Sequence, residues 1–191
     1  LQREEVTPLD EAKAFETLMA KETLDVLAAK INKSKKYISD RLNLLKLNVV
    51  AQTLLAKGKL PIGHALLVSK LQPDDQRTVL DKCFGIIDFE HPEENTDDEY
   101  EVAMCENTLD ELRTDIEDLF ANFNRANFDP ADETLYAEAG ACNACQFRTT
   151  NSQLLFADIT SLDKCTNVGC FKKKTSLFLK RAELELKQEV G

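Results

Sequence analysis

Residues 23–45 have the sequence TLDVLAAKINKSKKYISDRLNLL, and this stretch predicts two short helices joined by a tight turn. The small Ala28 suits the point where the helices cross, and Ile38 follows on the facing side. Asn32 suits the turn because asparagine, after glycine, best tolerates a left-handed backbone. Ser34 is a favourable N-cap for the second helix. The pattern is typical of a helix-turn-helix, whose second helix enters the major groove of DNA.

Polar and basic side chains cover the outward face of this second helix. Lys and Arg bind phosphate, and Arg or Asn can pair with base edges. The candidate DNA-binding residues are Lys33, Ser34, Lys35, Lys36, Tyr37, Ser39, Arg41, Asn43 and Lys46, with His64 from a later motif. A helical hairpin with a solvated basic face explains the same spacing without DNA binding. For His64, the alternative is a role in the core or at the start of a helix. Both interpretations stay open at this point.

The charge of the chain is unevenly distributed. The 191 residues carry a net charge of −10, with 43% apolar and 30% charged residues. Residues 21–60 nevertheless contain nine basic and three acidic residues, whereas residues 81–141 contain three basic and nineteen acidic ones. Nucleic-acid binding is therefore expected only locally. No apolar run approaches the ~20 residues that span a bilayer, so we expect a cytoplasmic protein without a membrane segment.

Helical periodicity and cap residues predict an all-α fold in three parts. Residues 1–85 are predicted to form a helical DNA-binding domain with the helix-turn-helix at 23–47. Residues 86–107 are predicted to form an acidic linker. Residues 108–191 are predicted to form a helix, a cysteine-rich module and a C-terminal helix. Helices are predicted to start at Thr7, Thr23, Ser34, Asn48, Pro61, Pro73 and Thr108, and the last one to cover 172–189. The three lysines at 172–174 are interpreted as a solvated basic turn or an accessory phosphate contact.

Four of the six cysteines cluster in two close pairs. The pairs are Cys142 with Cys145 and Cys165 with Cys170. Structural zinc requires four ligands at the corners of a tetrahedron, and two tight turns that each provide two thiolates supply them. The four cysteines are therefore predicted to bind a structural zinc ion. Free reduced thiols and disulfides are the alternatives. The remaining cysteines, Cys83 and Cys105, are expected to be small buried side chains.

Three motifs in order resemble the ParB/RepB partition proteins. Leu1–Phe15 resembles the segment that leads into their DNA-binding domain, and Ser34–Leu47 resembles their recognition stretch. Gly58–Ala65, GKLPIGHA, is similar to the family's Gly-Lys-Leu-Ser-x-Gly-His-Ala-Arg motif. The chain departs from the family at Leu66, where the motif has Arg, and at Asn48, where Pro is usual. Residues 128–174 look like the cysteine-rich tail of some ParB-like proteins.

The resemblance implies sequence-specific binding of a centromere-like, usually palindromic, double-stranded DNA site in plasmid or chromosome partition. It also implies a homodimer and a partition ATPase as partners, in a nucleoid- or plasmid-associated bacterial protein. Phosphate contacts are assigned to Lys33, Lys35, Lys36, Arg41 and Lys46, and contacts to base edges or nearby backbone to Tyr37, Ser39 and Asn43. The last helix, with Leu177, Leu179, Leu184 and Leu186, offers one dimer surface, and burial of these leucines within their own module is the alternative.

Other functions are weighed against this one. A transcriptional regulator can use the same domain. A further alternative is that the cysteine module is a protein-interaction platform and that the DNA affinity of the domain is weak. A nuclease is disfavoured because no two-metal carboxylate site is evident, so no enzymatic activity is expected. The family's N-terminal nucleotide-binding domain has no counterpart here, so CTP binding is not expected of this chain, which we take to be part of a longer protein.

Overall fold

The structure, a computed structural model, describes residues 6–84, 105–152 and 156–190. They belong to two compact units, Leu1–Leu112 and Arg113–Gly191. The predicted linker, residues 86–107, lies outside the described residues except for its last three. None of the helices in the described ranges combines the length and apolar character needed to cross a bilayer.

The first unit is helical. Its helices are α1 Pro8–Met19, α2 Leu24–Ile31, α3 Lys35–Asn43, α4 Val49–Ala56, α5 Ile62–Val68 and α6 Pro73–Phe84, and α7 Leu109–Leu119 begins within it. The helices of this unit begin within one residue of their predicted starts, and local capping explains four of these starts. Side chains of Thr7, Thr23, Ser34 and Asn48 each accept a backbone N–H of the first helical turn. Such caps stabilise a helix by about 1 kcal/mol each.

Helix α3 ends at Asn43, two residues before the end of the stretch 23–45 that predicts the helix-turn-helix. A 3₁₀ turn, Leu44–Lys46, follows Asn43. The tighter turn changes the angular spacing of the side chains. Leu44 is consequently buried, whereas Leu45 is only half-buried.

A buried amide joins this turn to α4 and α6. Gln76 of α6 is 1% exposed. Its Nε2 donates to the carbonyls of Lys46 at 3.0 Å and Leu71 at 3.1 Å, and its Oε1 accepts the N–H of Asn48 at 2.8 Å. One side chain therefore satisfies three backbone groups at helix ends, which would be costly to bury unpaired.

The second unit contains a small β-ribbon and a long helix. Strand β1, Ala121–Asn122, pairs antiparallel with β2, Lys164–Cys165, so the fold is mainly helical and not wholly so. One hydrophobic cluster of its core consists of Phe123, Phe128, Leu135, Cys142 and Cys165. Partly buried side chains of the final helix pack against this core.

The final helix, α8, spans Val168–Val190. It begins four residues before the predicted residue 172, because the Asn167 side chain accepts the Cys170 N–H at 2.9 Å and caps the helix. The run of three lysines therefore lies inside the helix. Lys174 is only 2% exposed, so the prediction of a solvated turn or phosphate contact is wrong for this residue.

Candidate nucleic-acid interface and cysteine cavity

The turn between α2 and α3 has the geometry predicted from its sequence. Asn32 adopts a left-handed conformation with φ 51°, and its N–H bonds to the carbonyl of Ala28. Ser34 then caps α3 by accepting the Tyr37 N–H at 3.1 Å. These two residues end one helix and start the next within three positions, which fixes where the basic residues at 33–36 emerge.

The apolar face of α3 holds the helix against its neighbours. Ile38 is fully buried and packs with Leu27 of α2 and Phe15 of α1. Because α1 packs on both α2 and α3, the remaining surface of α3 faces away from this cluster. Packing thus determines which side of α3 is available to a ligand.

The N-terminal end of α3 is a basic surface. The side chains of Lys33, Ser34, Lys35 and Lys36 are exposed. Lys35 pairs with Asp25, and Lys36 pairs with Asp40 at 3.0 Å. Exposed ion pairs of this kind contribute only about 0–1 kcal/mol, so these lysines can exchange their carboxylate partners for phosphate at little cost.

Tyr37 and Arg41 are held in a polar cluster with Glu11 of α1. Arg41 Nε and the Tyr37 hydroxyl each donate to Glu11 Oε2 at 2.7 Å. The Arg41 guanidinium also stacks on the Tyr37 ring, 4.5 Å from its centroid, and Arg41 is only 16% exposed. Both side chains thus form hydrogen bonds within the domain. A direct DNA contact by either side chain requires these hydrogen bonds to break.

The protonation equilibria of the cluster reflect the same contacts. Burial raises the pKa of Glu11, but the hydrogen bonds from Arg41 and Tyr37 outweigh burial, so its pKa lies below the ordinary value. The pKa of Tyr37 is raised, mainly by its hydrogen bond to Glu11. Glu11 is therefore an ionised partner that fixes α3 on α1. Sequence reasoning missed it because thirty residues separate it from Arg41.

Three further predicted contacts lie along α3 and just after it. Ser39 and Asn43 are half-buried, and Lys46 is exposed. Within the described ranges, none of the three side chains forms a hydrogen bond or an ion pair with another residue. Their polar atoms are therefore available to a ligand.

His64 lies in the protein interior. It is 8% exposed, and its Nε2 lies 2.7 Å from the carbonyl oxygen of Asn107. A Cβ placed on the neighbouring Gly63 would lie 3.3 Å from Cδ1 of Leu109. The Gly-His motif therefore packs α5 against residues 107–109. A direct DNA contact by His64 would require this side chain to leave the core.

Comparison with known proteins agrees with this geometry. Residues 4–85 match the ParB HTH domain family. This part of the chain is therefore a ParB-like helix-turn-helix domain. The predicted resemblance is thus confirmed over the part of the chain that carries its motifs.

Relatives of the ParB HTH domain occur in several bacteria. A protein of Campylobacter jejuni named "Probable chromosome-partitioning protein ParB" is 36% identical over 87 residues, which are 44% of this chain and 31% of the relative. A nucleoid occlusion protein of Listeria monocytogenes is 35% identical over 82 residues, which are 42% of this chain and 29% of the relative. Stage 0 sporulation protein J of Bacillus subtilis is 34% identical over 90 residues, which are 43% of this chain and 32% of the relative. The aligned region thus spans about a third of each relative.

The four clustered cysteines lie outside the residues that match the ParB HTH domain. Cys142, Cys145, Cys165 and Cys170 line one cavity of about 350 Å³ in the second unit. Cys145 donates its N–H to the Cys142 carbonyl at 3.2 Å, which closes a tight turn. Cys165 ends β2, and Cys170 lies in the first turn of α8. The fold thus places both cysteine pairs around one cavity.

The cysteine cavity also contains a buried lysine. Nζ of Lys174 donates to the Gly140 carbonyl oxygen and to Sγ of Cys142, the latter at 3.2 Å. Burial, together with the neighbouring cysteines, raises the pKa of the Cys165 thiol to about 12, and burial also raises that of Cys170. Across the described ranges, no group of three or more His, Cys, Asp or Glu residues has the arrangement of a metal site.

Proposed function

We propose that the ParB HTH domain of this chain binds a specific, palindromic double-stranded DNA site in plasmid or chromosome partition. The observation that carries this proposal is the exposed basic end of α3, held in place by an apolar face and by the Glu11 cluster. A recognition helix approaches base edges with its N-terminal residues. The names of the relatives, which concern partitioning, sporulation and nucleoid occlusion, favour this role over transcriptional regulation.

The exposed residues divide into two proposed groups. Lys33, Ser34, Lys35, Lys36 and Lys46 contact phosphates, since they carry positive charge or a hydroxyl at or beyond the ends of α3. Ser39 and Asn43, with polar atoms that no described residue occupies, contact base edges.

Tyr37 and Arg41 contribute differently from the direct contacts predicted for them. They are positioning residues, which act on DNA affinity by holding α3 against Glu11 of α1. His64 likewise acts through the packing of α5.

Two further elements belong to the proposal. A palindromic site has two equivalent halves, so two copies of the chain bind one site. A partition ATPase then acts on the DNA-bound dimer in the bacterial nucleoid or on a plasmid. Both elements rest on the family resemblance and on the relatives' names. The proposal includes no catalytic step.

Binding of the full chain to selected DNA tests the proposal. A duplex enriched from a random library is compared with a scrambled duplex of equal length by fluorescence anisotropy over a salt series. We expect the selected site to bind at least about 10³-fold more tightly and to saturate at two chains per duplex. Equal affinity for the two duplexes would refute sequence-specific binding.

Single substitutions separate the phosphate and base groups. Lys35→Ala or Lys36→Ala should weaken binding to both duplexes and lower the slope of log K against log salt by about 0.9. Asn43→Ala should weaken binding to the selected site about 10-fold or more while leaving the scrambled duplex unaffected. Lys13→Ala, which removes an exposed charge from α1, is the matched control and should change neither property.

A further inference from the structure

The second unit contains a buried cation whose surroundings are unusual. Lys174 is 2% exposed, yet no carboxylate in the described ranges pairs with its ammonium group. Its hydrogen-bond partners are the Gly140 carbonyl oxygen and Cys142 Sγ. Glu138 lines the same cavity, but it is exposed and accepts the Tyr136 hydroxyl at 3.0 Å.

Two other largely buried basic side chains of the unit have carboxylate partners. Arg148, which also lines the cavity, forms two hydrogen bonds to Asp163, at 2.6 and 2.8 Å. Lys164 lies 3.2 Å from a carboxylate oxygen of Glu117. Burial of an ammonium without a negative partner carries a large desolvation penalty. An anionic group within the cavity that Lys174 lines would offset the charge of its ammonium group.

The four cysteines can provide this negative charge only together with a metal. Neutral thiols are weak acceptors, and four thiolates in one cavity would repel one another. A divalent ion bound by four thiolates removes that repulsion and leaves a net charge of −2 at the site. Zinc favours this donor set in structural sites, with thiolates supplied by tight turns.

We propose that Cys142, Cys145, Cys165 and Cys170 bind one zinc ion as thiolates, and that the Lys174 ammonium stabilises this site by donating a hydrogen bond to a ligand sulfur and offsetting part of its negative charge. In the structure the four sulfurs line the cavity without having the arrangement of a metal site, so metal binding draws them closer together. All four coordination positions are then filled by protein, so the ion is structural. It joins the turn at 142–145 to β2 and to the first turn of α8. This assignment is independent of DNA binding.

Metal analysis of the full chain, purified under reducing conditions, tests the site without any substitution. We expect about one zinc per chain, and thiolate-to-metal charge-transfer bands with tetrahedral d–d bands after replacement by Co²⁺. A metal-free protein that shows no such bands with added Co²⁺ would overturn the proposal. Oxidation to disulfides, seen as a loss of two or four titratable thiols in a metal-free chain, would also overturn it.

Substitutions test the ligands and the lysine separately. Cys145→Ser and Cys170→Ser should abolish the cobalt bands, whereas Cys83→Ser should not. Lys174→Met should weaken zinc binding about 10- to 100-fold in competition with a chromophoric chelator. Lys173→Met removes an exposed lysine next to it and should leave the affinity unchanged. Equal affinities of the two lysine variants would refute the role of Lys174 while leaving the cysteine ligands in place.

Discussion

Replacing Glu11 by Gln tests whether the polar cluster holds α3 on α1. The substitution preserves the shape of the side chain and one acceptor oxygen, but it removes the charge that faces Arg41 Nε at 2.7 Å. Arg41 is 16% and Glu11 27% exposed, so water replaces little of the lost interaction. A hydrogen bond to a charged group contributes about 1.5–3 kcal/mol. Because Gln still accepts a hydrogen bond, we expect a loss of about 2 kcal/mol in the free energy of unfolding.

The measurement is urea unfolding of the full chain by circular dichroism. Hydrogen exchange of peptides from α1 and α3 assigns the transition to the first unit. A loss of about 2 kcal/mol corresponds to a decrease in Tm of roughly 8–16 °C for a domain of this size. Affinity for DNA should fall as well, with little change in the salt slope, because the substitution removes no positive charge.

Glu16→Gln is the matched control for this experiment. Glu16 lies on the same helix but is exposed, so the same change of acid to amide should alter stability by less than about 0.5 kcal/mol. If Glu11→Gln is as stable as Glu16→Gln, the cluster does not hold α3, and the proposed positioning role of Tyr37 and Arg41 is wrong.

Three further predictions follow from single features. Because the folded-state pKa of Glu11 is lowered, its stabilisation is present above the unfolded value of about 4.3 and is lost as pH falls through the lower folded value; the stability difference between the wild type and Glu11→Gln should therefore shrink in acid unfolding curves. Asn32→Ala should destabilise the domain by about 1 kcal/mol in urea unfolding, whereas Asn32→Gly should not, since φ is 51°. Incubation with supercoiled plasmid and Mg²⁺ should produce no cleavage on agarose gels, and nicking that copurifies with the protein would contradict a purely binding function.

Features that are set by residues within one helical turn could be predicted from the sequence. The helix starts could be predicted because Ser34 and Asn48 act within one turn of their own helices. The position of Asn32 in a left-handed turn is equally local. The start of α8 was placed too late because Asn167 stands within a loop-rich stretch, where asparagine is as common as it is at caps.

Features that depend on distant residues could not be predicted in this way. The commitment of Arg41 to Glu11 requires α1 to lie beside α3, and no local pattern indicates which acid Arg41 meets. The burial of Lys174 depends on Gly140, thirty-four residues earlier. A lysine in a run of three is ordinarily solvated. Periodicity and local capping thus predicted the helices, but not the charged groups that the fold encloses.

The amide of Gln76 has a consequence for mutational surveys of this protein. It offers an acceptor and two donors from adjacent atoms, and all are used by carbonyl and N–H groups of the chain itself. Glutamate would place a negative charge against two carbonyl oxygens. Leucine would leave the Asn48 N–H and the carbonyls of Lys46 and Leu71 without this hydrogen-bond partner. A saturation screen scored by DNA binding should therefore find position 76 as intolerant as the residues that we propose to contact DNA, although its side chain is enclosed by the chain's own backbone. Ranking positions by sensitivity alone would misassign this architectural residue to recognition.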